Sequence, residues 1–269
     1  MTSIVVAVIP CWEDTITGGF TLDEIPRGIT PKDAFERLMT LGGFPEPFLA
    51  NDERMARRWR RERFDRVLRE DVRELAPVRD IQILGLFLDL LRQKVGGMVI
   101  LSNLARDLEI SPKTAKAWLE VLERMYLVFT VRPYTKSLPR AVRKPPKVYF
   151  FDNGDVIGDE GARFENLVAT LLLKQLHYLE DNQGYRYELR YIRDKEGREV
   201  DFAILKEGRL EALIEVKYAD DSIARPLSYY AQRLNPGKVV QIVAEIKRPY
   251  DKGNIRVADP VSYFSDFFK

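Results

Sequence analysis

Cysteine and histidine are almost absent from this chain. Its 269 residues hold one of each, Cys11 and His177. A single cysteine forms no internal disulfide, and a Cys–His zinc site lacks its ligands. Ser–His–Asp chemistry would have to use His177, which reads as a surface or packing residue late in a helix. No apolar run approaches the roughly 20 residues that span a bilayer. Ser3–Pro10 (SIVVAVIP) has no basic lead-in and no clear small-residue cleavage site, so it does not read as a signal peptide. The expected compartment is the cytoplasm, with no membrane partner. The phosphate-cradling pattern GxxxxGK followed by Ser or Thr is missing, so no ATP site is assigned. An excess of one charge is lacking too. Lys plus Arg number 43 and Asp plus Glu 41, a formal net charge of +2. Any nucleic-acid-binding surface therefore has to be local. A metal site would have to be built from carboxylates, which favours Mg²⁺ or Mn²⁺. What the chain has is 45% apolar residues, enough for a sizeable core, and a length that suits about two domains.

The first half reads as helical. Thr30–Leu41 is a short helix with Thr30 as N-cap and Pro31 at its first position, and Gly42-Gly43-Phe44-Pro45-Glu46-Pro47 is a turn. Over residues 51–93, Arg57, Arg58, Arg60, Arg61, Arg63, Arg66, Arg69 and Arg73 interleave with Glu62, Asp65, Glu70, Asp71 and Glu74. Mixed signs at helical spacing predict a solvated face laced with ion pairs, with a phosphate-facing surface as the alternative. Ile81–Leu91 is a second, more apolar helix. Leu101–Leu108 and a Ser111-capped helix to about Met125 form a helix-turn-helix signature. Lys113, Thr114 and Lys116 lie near the start of its second helix, where recognition helices meet base edges. The strands Leu127–Pro133 and Val148–Phe151 flank a stretch that carries Arg132, Lys136, Arg140, Arg143, Lys144 and Lys147 and no acidic residue. This looks like a winged helix, with Arg140, Arg143 and Lys144 as phosphate contacts and double-stranded DNA as the partner. A protein-interaction or spacer module is the alternative.

Residues 159–269 read as a different unit: a long helix at Gly161–Tyr178, strands at Tyr187–Arg193, Glu199–Leu205 and Leu210–Tyr218, a helix around Pro226–Leu234 and a buried strand at Val239–Ile246. Glu215 and Lys217 are two apart in a strand and share a face, while Ile214 and Val216 point to the core. Asp201, between Val200 and Phe202, points away from a buried face. Glu165 lies beside the apolar stripe of Phe164, Leu167, Val168, Leu171 and Leu172. Glu165, Asp201 and Glu215 together could hold a divalent cation, with Lys217 orienting or helping to deprotonate an attacking water. Taken alone, the Glu-Val-Lys tripeptide is equally well an ion pair on a strand edge.

The ordered set of helix Glu, strand Asp and strand Glu-x-Lys resembles the PD-(D/E)XK nuclease superfamily. From about Thr21 onward the chain is similar to the C-terminal part of a prokaryotic AAA+-like ATPase family that ends in a domain of the DUF4143 type. The stretches that carry this are Gly42–Glu46, the helix-turn-helix, Pro146–Gly154 (PKVYFFDNG), GARFEN at 161–166, EVDF at 199–202 and IEVK at 214–217. The resemblance implies an α/β fold, α+β overall. Residues 1–45 would be a remnant or lid-like segment of the ATPase domain, 46–154 a helical region with a winged helix-turn-helix, and 155–269 a restriction-endonuclease-like mixed-sheet domain. It places Asp201, Glu215 and Lys217 at the catalytic positions, Glu165 as the helix carboxylate, and Mg²⁺ or Mn²⁺ between the carboxylates. The chain departs from the family in lacking a P-loop, so ATP hydrolysis is not expected. The implied function is metal-dependent phosphodiester hydrolysis on DNA; a non-catalytic DNA-binding module is the alternative. A protein-interaction role, with a homo-oligomer or a separate ATPase chain as partner, would expose apolar surface around Phe44, Pro47 and Phe48.

Overall fold

Local capping chemistry starts the first helices. The computed structural model describes residues 28–67, 81–135 and 144–266; Ser3–Pro10, Arg69, Arg73, Lys136, Arg140 and Arg143 lie outside them. Thr30 caps α1 (Pro31–Leu41): its hydroxyl accepts from the Asp33 amide and the Asp33 carboxylate accepts from Thr30 N. Then follow α2 (Pro45–Ala50), α3 (Glu53–Arg66), α4 (Ile81–Arg92), α5 (Leu101–Asp107) and α6 (Pro112–Arg124). The Ser111 hydroxyl accepts from Thr114 N and starts α6 where the sequence predicts. Strands β1 (Val128–Pro133) and β2 (Lys147–Phe150) lead through a 3₁₀ turn, Asn153–Asp155, into α7 (Glu160–Gln183). The chain continues as β3 (Tyr187–Arg193), β4 (Glu199–Lys206), β5 (Arg209–Lys217), α8 (Arg225–Leu234), β6 (Lys238–Val243), β7 (Tyr250–Lys252), β8 (Ile255–Ala258) and α9 (Pro260–Asp266).

All eight strands form one mixed sheet in the order β2-β1-β3-β4-β5-β6-β8-β7. The β1/β3, β5/β6 and β6/β8 pairs are parallel and the rest antiparallel. The fold is thus mixed α/β, with nine α-helices among the described residues. No helix among them is long and apolar enough to cross a membrane. The β1–β2 hairpin, read from sequence as a wing, is the end of this sheet: Arg132 pairs with Arg190 and Pro133 with Tyr191. The reason is burial on both faces. All four β2 residues are buried, as are four of the six in β1, and such strands need cover on each side.

One face of the sheet packs on α7, where Phe164, Leu167, Val168, Leu171 and Leu172 meet Phe202, Ile214 and Ile242. The other packs on α8, where Leu227, Tyr230 and Ala231 meet Val200, Leu213 and Val239. A third cluster joins α4, α5 and α6 to Val128, Val148 and Phe150. Phe48 and Pro47 are buried, and Phe44 stacks against Trp59 beneath the Arg63 guanidinium. That segment is packed down.

The arginine-rich helix α3 is split in role. Arg57 and Arg58 pair with Glu53 and Glu62 one turn away on the solvated face. Arg60 and Arg63 turn inward to the 3₁₀ turn, Arg60 to Asp152 at 3.0 Å and Arg63 to Asp155 at 3.8 Å, while Arg92 reaches Asp155 at 2.8 Å. Gly154 leaves room for this pair: a Cβ there would stand 1.9 Å from the Arg60 guanidinium carbon and displace it. Asp152 also caps the turn by accepting from Gly154 N. Burial, then the neighbouring Asp155, push its carboxyl up to about 6 against Arg60 and Arg63.

A fully buried amide fixes the rotation of α7 against the sheet. Asn166 Oδ1 accepts from Phe150 N at 2.7 Å, and Asn166 Nδ2 donates to Phe150 O at 3.0 Å and to Asn153 Oδ1 at 3.1 Å. The side chain thereby acts as a further strand for the last residue of β2. Asn166→Leu leaves Phe150 N buried and unpaired, leaves Phe150 O with only the Thr170 hydroxyl at 3.3 Å, and takes the donor from Asn153 Oδ1; it is expected to cost about 2–4 kcal/mol in chemical denaturation. Thr170→Val, whose hydroxyl has a second acceptor in Asn166 O, should cost under about 1 kcal/mol. Equal costs would show that the amide does not hold the helix.

Candidate functional site

The site lies where the start of α7 crosses the ends of β2, β4 and β5. Asp159 caps α7 by accepting from Ala162 N. The next turn brings Glu165 to the edge of the buried stripe, facing β2. Lys147 and Tyr149 are two apart on β2 and share a face; both donate to Glu165 Oε1, Tyr149 from its hydroxyl at 2.7 Å and Lys147 from Nζ at 3.2 Å. The same ammonium is 2.7 Å from Glu199 and 3.3 Å from Asp201, both on β4. Lys147 is 1% exposed. Burial penalises its charge, yet Glu165, Asp201 and Glu199 hold it well above the ordinary lysine range. Glu199, buttressed by Arg193 at 2.7 Å, is held below the usual carboxyl range: Lys147 and Arg193 outweigh its burial. Glu165 goes the other way, raised by burial and by the charge of Asp201 despite Lys147 and Tyr149.

A bulge aims Asp201. Along the β3/β4 ladder Arg190 pairs with Ala203 but Ile192 with Val200, so β4 sets three steps against two. Val200 packs under α8, whereas Phe202 packs under α7. Strict alternation would put both on one face, opposite Asp201; the extra residue instead places Asp201 and Phe202 on the α7 side. Asp201 Oδ2 then accepts from Val216 N at 3.0 Å, and Oδ1 faces Lys147. The aspartate bridges the strands where the β4/β5 ladder ends.

Glu215 and Lys217 share a face of β5 as their spacing predicts, with Lys217 Nζ 2.6 Å from Glu215 Oε1. Glu215 is 4% exposed, and its Oε2 has no hydrogen-bond partner. Burial, then the charge of Asp201, push its carboxyl up to about 7 against the pull of Lys217. Lys217 keeps about a third of its side chain exposed. Burial acts to lower it, but Glu215 and Asp201 prevail and raise it. A tight turn closes the far side of Glu165: Gly96 has φ +72°, and a Cβ there would be 2.6 Å from Glu165 Oε2.

Of the four residues singled out from sequence, Glu165 and Asp201 meet through one ammonium, and Glu215 lies within electrostatic reach of Asp201 on the neighbouring strand. Lys147, Glu199 and Tyr149 are additions. Lys147 closes the basic stretch of the sequence, yet it opens a strand of Val, Tyr and Phe, and a lysine there needs buried counter-charge. The donor atoms are all hard oxygens, the type Mg²⁺ and Mn²⁺ take, and the orphaned Glu215 Oε2 is one more. Among the described residues no three carboxylates surround one metal-sized point; the Lys147 ammonium stands between Glu165, Glu199 and Asp201. As for the expected DNA contacts, Lys113 and Lys116 are exposed on the first two turns of α6, with Lys116 3.8 Å from Glu120. Thr114 is half-buried with its hydroxyl against Ser111. Lys144 is exposed, and Arg140 and Arg143 lie outside the described residues. His177 is exposed on α7, and Tyr230 packs in the α8 core.

Residues 32–156 match the model of a domain of unknown function, DUF8612, and residues 160–263 that of a second, DUF4143. Uncharacterized proteins from Mycobacterium bovis and Mycobacterium tuberculosis are each 24% identical to the chain over 243 residues, covering 79% of it and 54% of their own length. An uncharacterized protein from Haemophilus influenzae is 25% identical over 173 residues, 61% of this chain and 41% of its own. The chain spans about half the length of the curated relatives it matches. No solved structure matches it.

The raised Glu215 carboxyl has a thermodynamic signature. Below pH 4.5, the ordinary value, folded and unfolded chains both carry its proton. Between 4.5 and about 7 only the folded chain does, so this group's contribution to stability falls as pH rises. Wild type should lose about 3 kcal/mol more than Glu215→Gln between pH 4.5 and 8 in urea titrations. Parallel stability profiles for the two proteins would refute the shift.

Proposed function

We propose that this chain acts on nucleic acid and that the carboxylate–lysine cluster hydrolyses a phosphodiester with a divalent cation. The observation that carries this reading is that Glu165 and Asp201 share one ammonium while Glu215 and Lys217 pair on the next strand within electrostatic reach of Asp201, with a buried carboxylate oxygen of Glu215 left without a partner. Glu165, Asp201 and Glu215 would hold Mg²⁺ or Mn²⁺, which supplies charge neutralisation at phosphorus and a more acidic water. Lys217, exposed by a third and fixed by Glu215, is placed to meet a phosphate oxygen or to hold the attacking water. Asp201 is kept in position by Val216 N whatever its other oxygen binds. In this reading β3–β6 with α7 and α8 are restriction-endonuclease-like. Helices α5 and α6 with the β1–β2 hairpin are winged-helix-like, and double-stranded DNA lies along Lys113, Lys116 and Lys144, with Thr114, Arg140 and Arg143 as further contacts. The uncharacterized relatives and the two matched domains of unknown function name no activity, so the reading rests on the residues alone.

A second reading, a DNA-binding module without cleavage, is favoured by Lys147, which already neutralises the carboxylates. Supercoiled plasmid separates the two. With Mg²⁺ or Mn²⁺ the chain should nick it, and Asp201→Asn and Lys217→Ala should each slow nicking by roughly a hundredfold or more. Plasmid left intact in both metals by a folded protein removes the hydrolytic reading. Binding then remains to be tested with a fluorescent duplex: Lys113→Gln with Lys116→Gln should lower the salt slope by about 2. An unchanged slope would take α6 out of the interface.

A further inference from the structure

We infer that Lys147 is a built-in counter-cation, a positioning residue whose ammonium holds the carboxylates of Glu165 and Asp201 in the absence of a divalent ion and with which such an ion must compete. This rests on the reading above of those carboxylates as cation ligands. Three facts carry it. The ammonium lies within 3.3 Å of carboxylate oxygens from two different elements, Glu165 on α7 and Asp201 on β4. Its side chain is 1% exposed, so no water shell stabilises the charge and the carboxylates must do so. Its shortest contact, 2.7 Å, is to Glu199, which is outside the candidate ligand set and is separately braced by Arg193.

Glu199 is therefore the partner that can keep Lys147 neutralised when the other two carboxylates turn to another cation. The lysine stem has four rotatable carbons and the ring of Tyr191 lies 5.7 Å from Nζ, so a small swing toward Glu199 stays inside a protected, cation-tolerant wall. The lysine comes from β2, in the stretch matched by the first family model, whereas the four carboxylates all come from the second. The site is composite, and its cation affinity is set from outside the region that holds its ligands.

The test is Mn²⁺ binding to the full chain, followed by titration calorimetry and by the rise in melting temperature on adding Mn²⁺. Lys147→Gln should bind Mn²⁺ about tenfold or more tightly than wild type, since an opposing charge is removed from within 4 Å of two ligands. Lys147→Arg should bind no more tightly than wild type, and Asp201→Asn in the Gln background should abolish the gain. Because three uncompensated carboxylates threaten folding, Lys147→Gln/Glu199→Gln is run in parallel. A Gln variant that folds only with Mn²⁺ supports the proposal. Equal or weaker binding in folded Gln variants overturns it, as does an unfolded variant that Mn²⁺ does not restore. Tighter binding without plasmid nicking keeps the counter-cation and drops hydrolysis; nicking by wild type with unaltered Mn²⁺ affinity in the variant does the reverse.

Discussion

A lysine ammonium enclosed in an apolar sheet stays charged only if carboxylates surround it, and the meeting of Lys147 with Glu165, Glu199 and Asp201 organises this fold around that requirement. The contacts join β2 and α7, which follow one another in the chain, to β4, which lies beyond β3. Leaving one charge of a buried pair without its partner costs about 3–5 kcal/mol. Any slip of β2 against β4, or a turn of α7 about its axis, would incur that cost. The cluster thus selects one packing among several that would bury similar apolar area. Asn166 acts in the same direction with neutral groups, because its amide closes the ladder on Phe150 one residue along from Glu165.

The electrostatics of the cluster follow from how its charges are shared. Glu199 has two cations, Lys147 and Arg193, and is held ionised. Burial raises the carboxyls of Glu165 and Glu215, and the charge of Asp201 adds to it against the single cation each has. The side chains most ready to change their proton or partner are therefore the two that flank Asp201, and the one least ready is Glu199. In the proposed reading that asymmetry divides the work between chemically similar groups: Glu199 would retain Lys147, while Glu165 and Glu215 would turn to another cation. Lys217, with a third of its side chain in solvent, is the member of the set that a phosphate could reach without rearrangement.

Much of this was legible in residues whose side-chain direction depends only on their own element. Glu215 and Lys217 follow from strand alternation, Glu165 from its place beside a helical stripe, and the Thr30 and Ser111 caps from helix chemistry. Asp201 was legible as a candidate, but its aim was not. The bulge beside it arises from pairing with β3, and no residue in EVDF marks it. Lys147 was hidden by its company: five basic neighbours made it one of a solvated run, while the feature that mattered was the Val-Tyr-Phe strand it opens. Two strands and a basic connection make the β1–β2 hairpin legible as a wing; its pairing with β3 and its cover by helices on both faces, which also make it part of the main sheet, leave no mark in that pattern. Arg60 and Arg63 were lost in the same way among the pairs of α3, though the acidic turn that receives them, Asp152–Asp155, is plain in the sequence once the fold brings it near.

The two matched stretches, 32–156 and 160–263, divide the chain between β2 and α7, yet the site divides the other way. All its carboxylates fall in the second stretch and its buried cation in the first. Taken alone, residues 160–263 would present Glu165, Asp201 and Glu199 without Lys147, and β3 without its parallel neighbour β1. An exposed strand edge beside three like charges is unfavourable on two independent grounds, unpaired backbone groups and charge repulsion. The two stretches are thereby bound by what each leaves unsatisfied. The Arg60–Asp152 and Arg92–Asp155 pairs extend the same tie to α3 and α4, which are thereby fixed to the turn that follows the strand delivering the site lysine. In the proposed reading, a nucleic acid bound on the helical side would press on a framework tied to β2, the strand whose first residue carries the ammonium in the middle of the carboxylates.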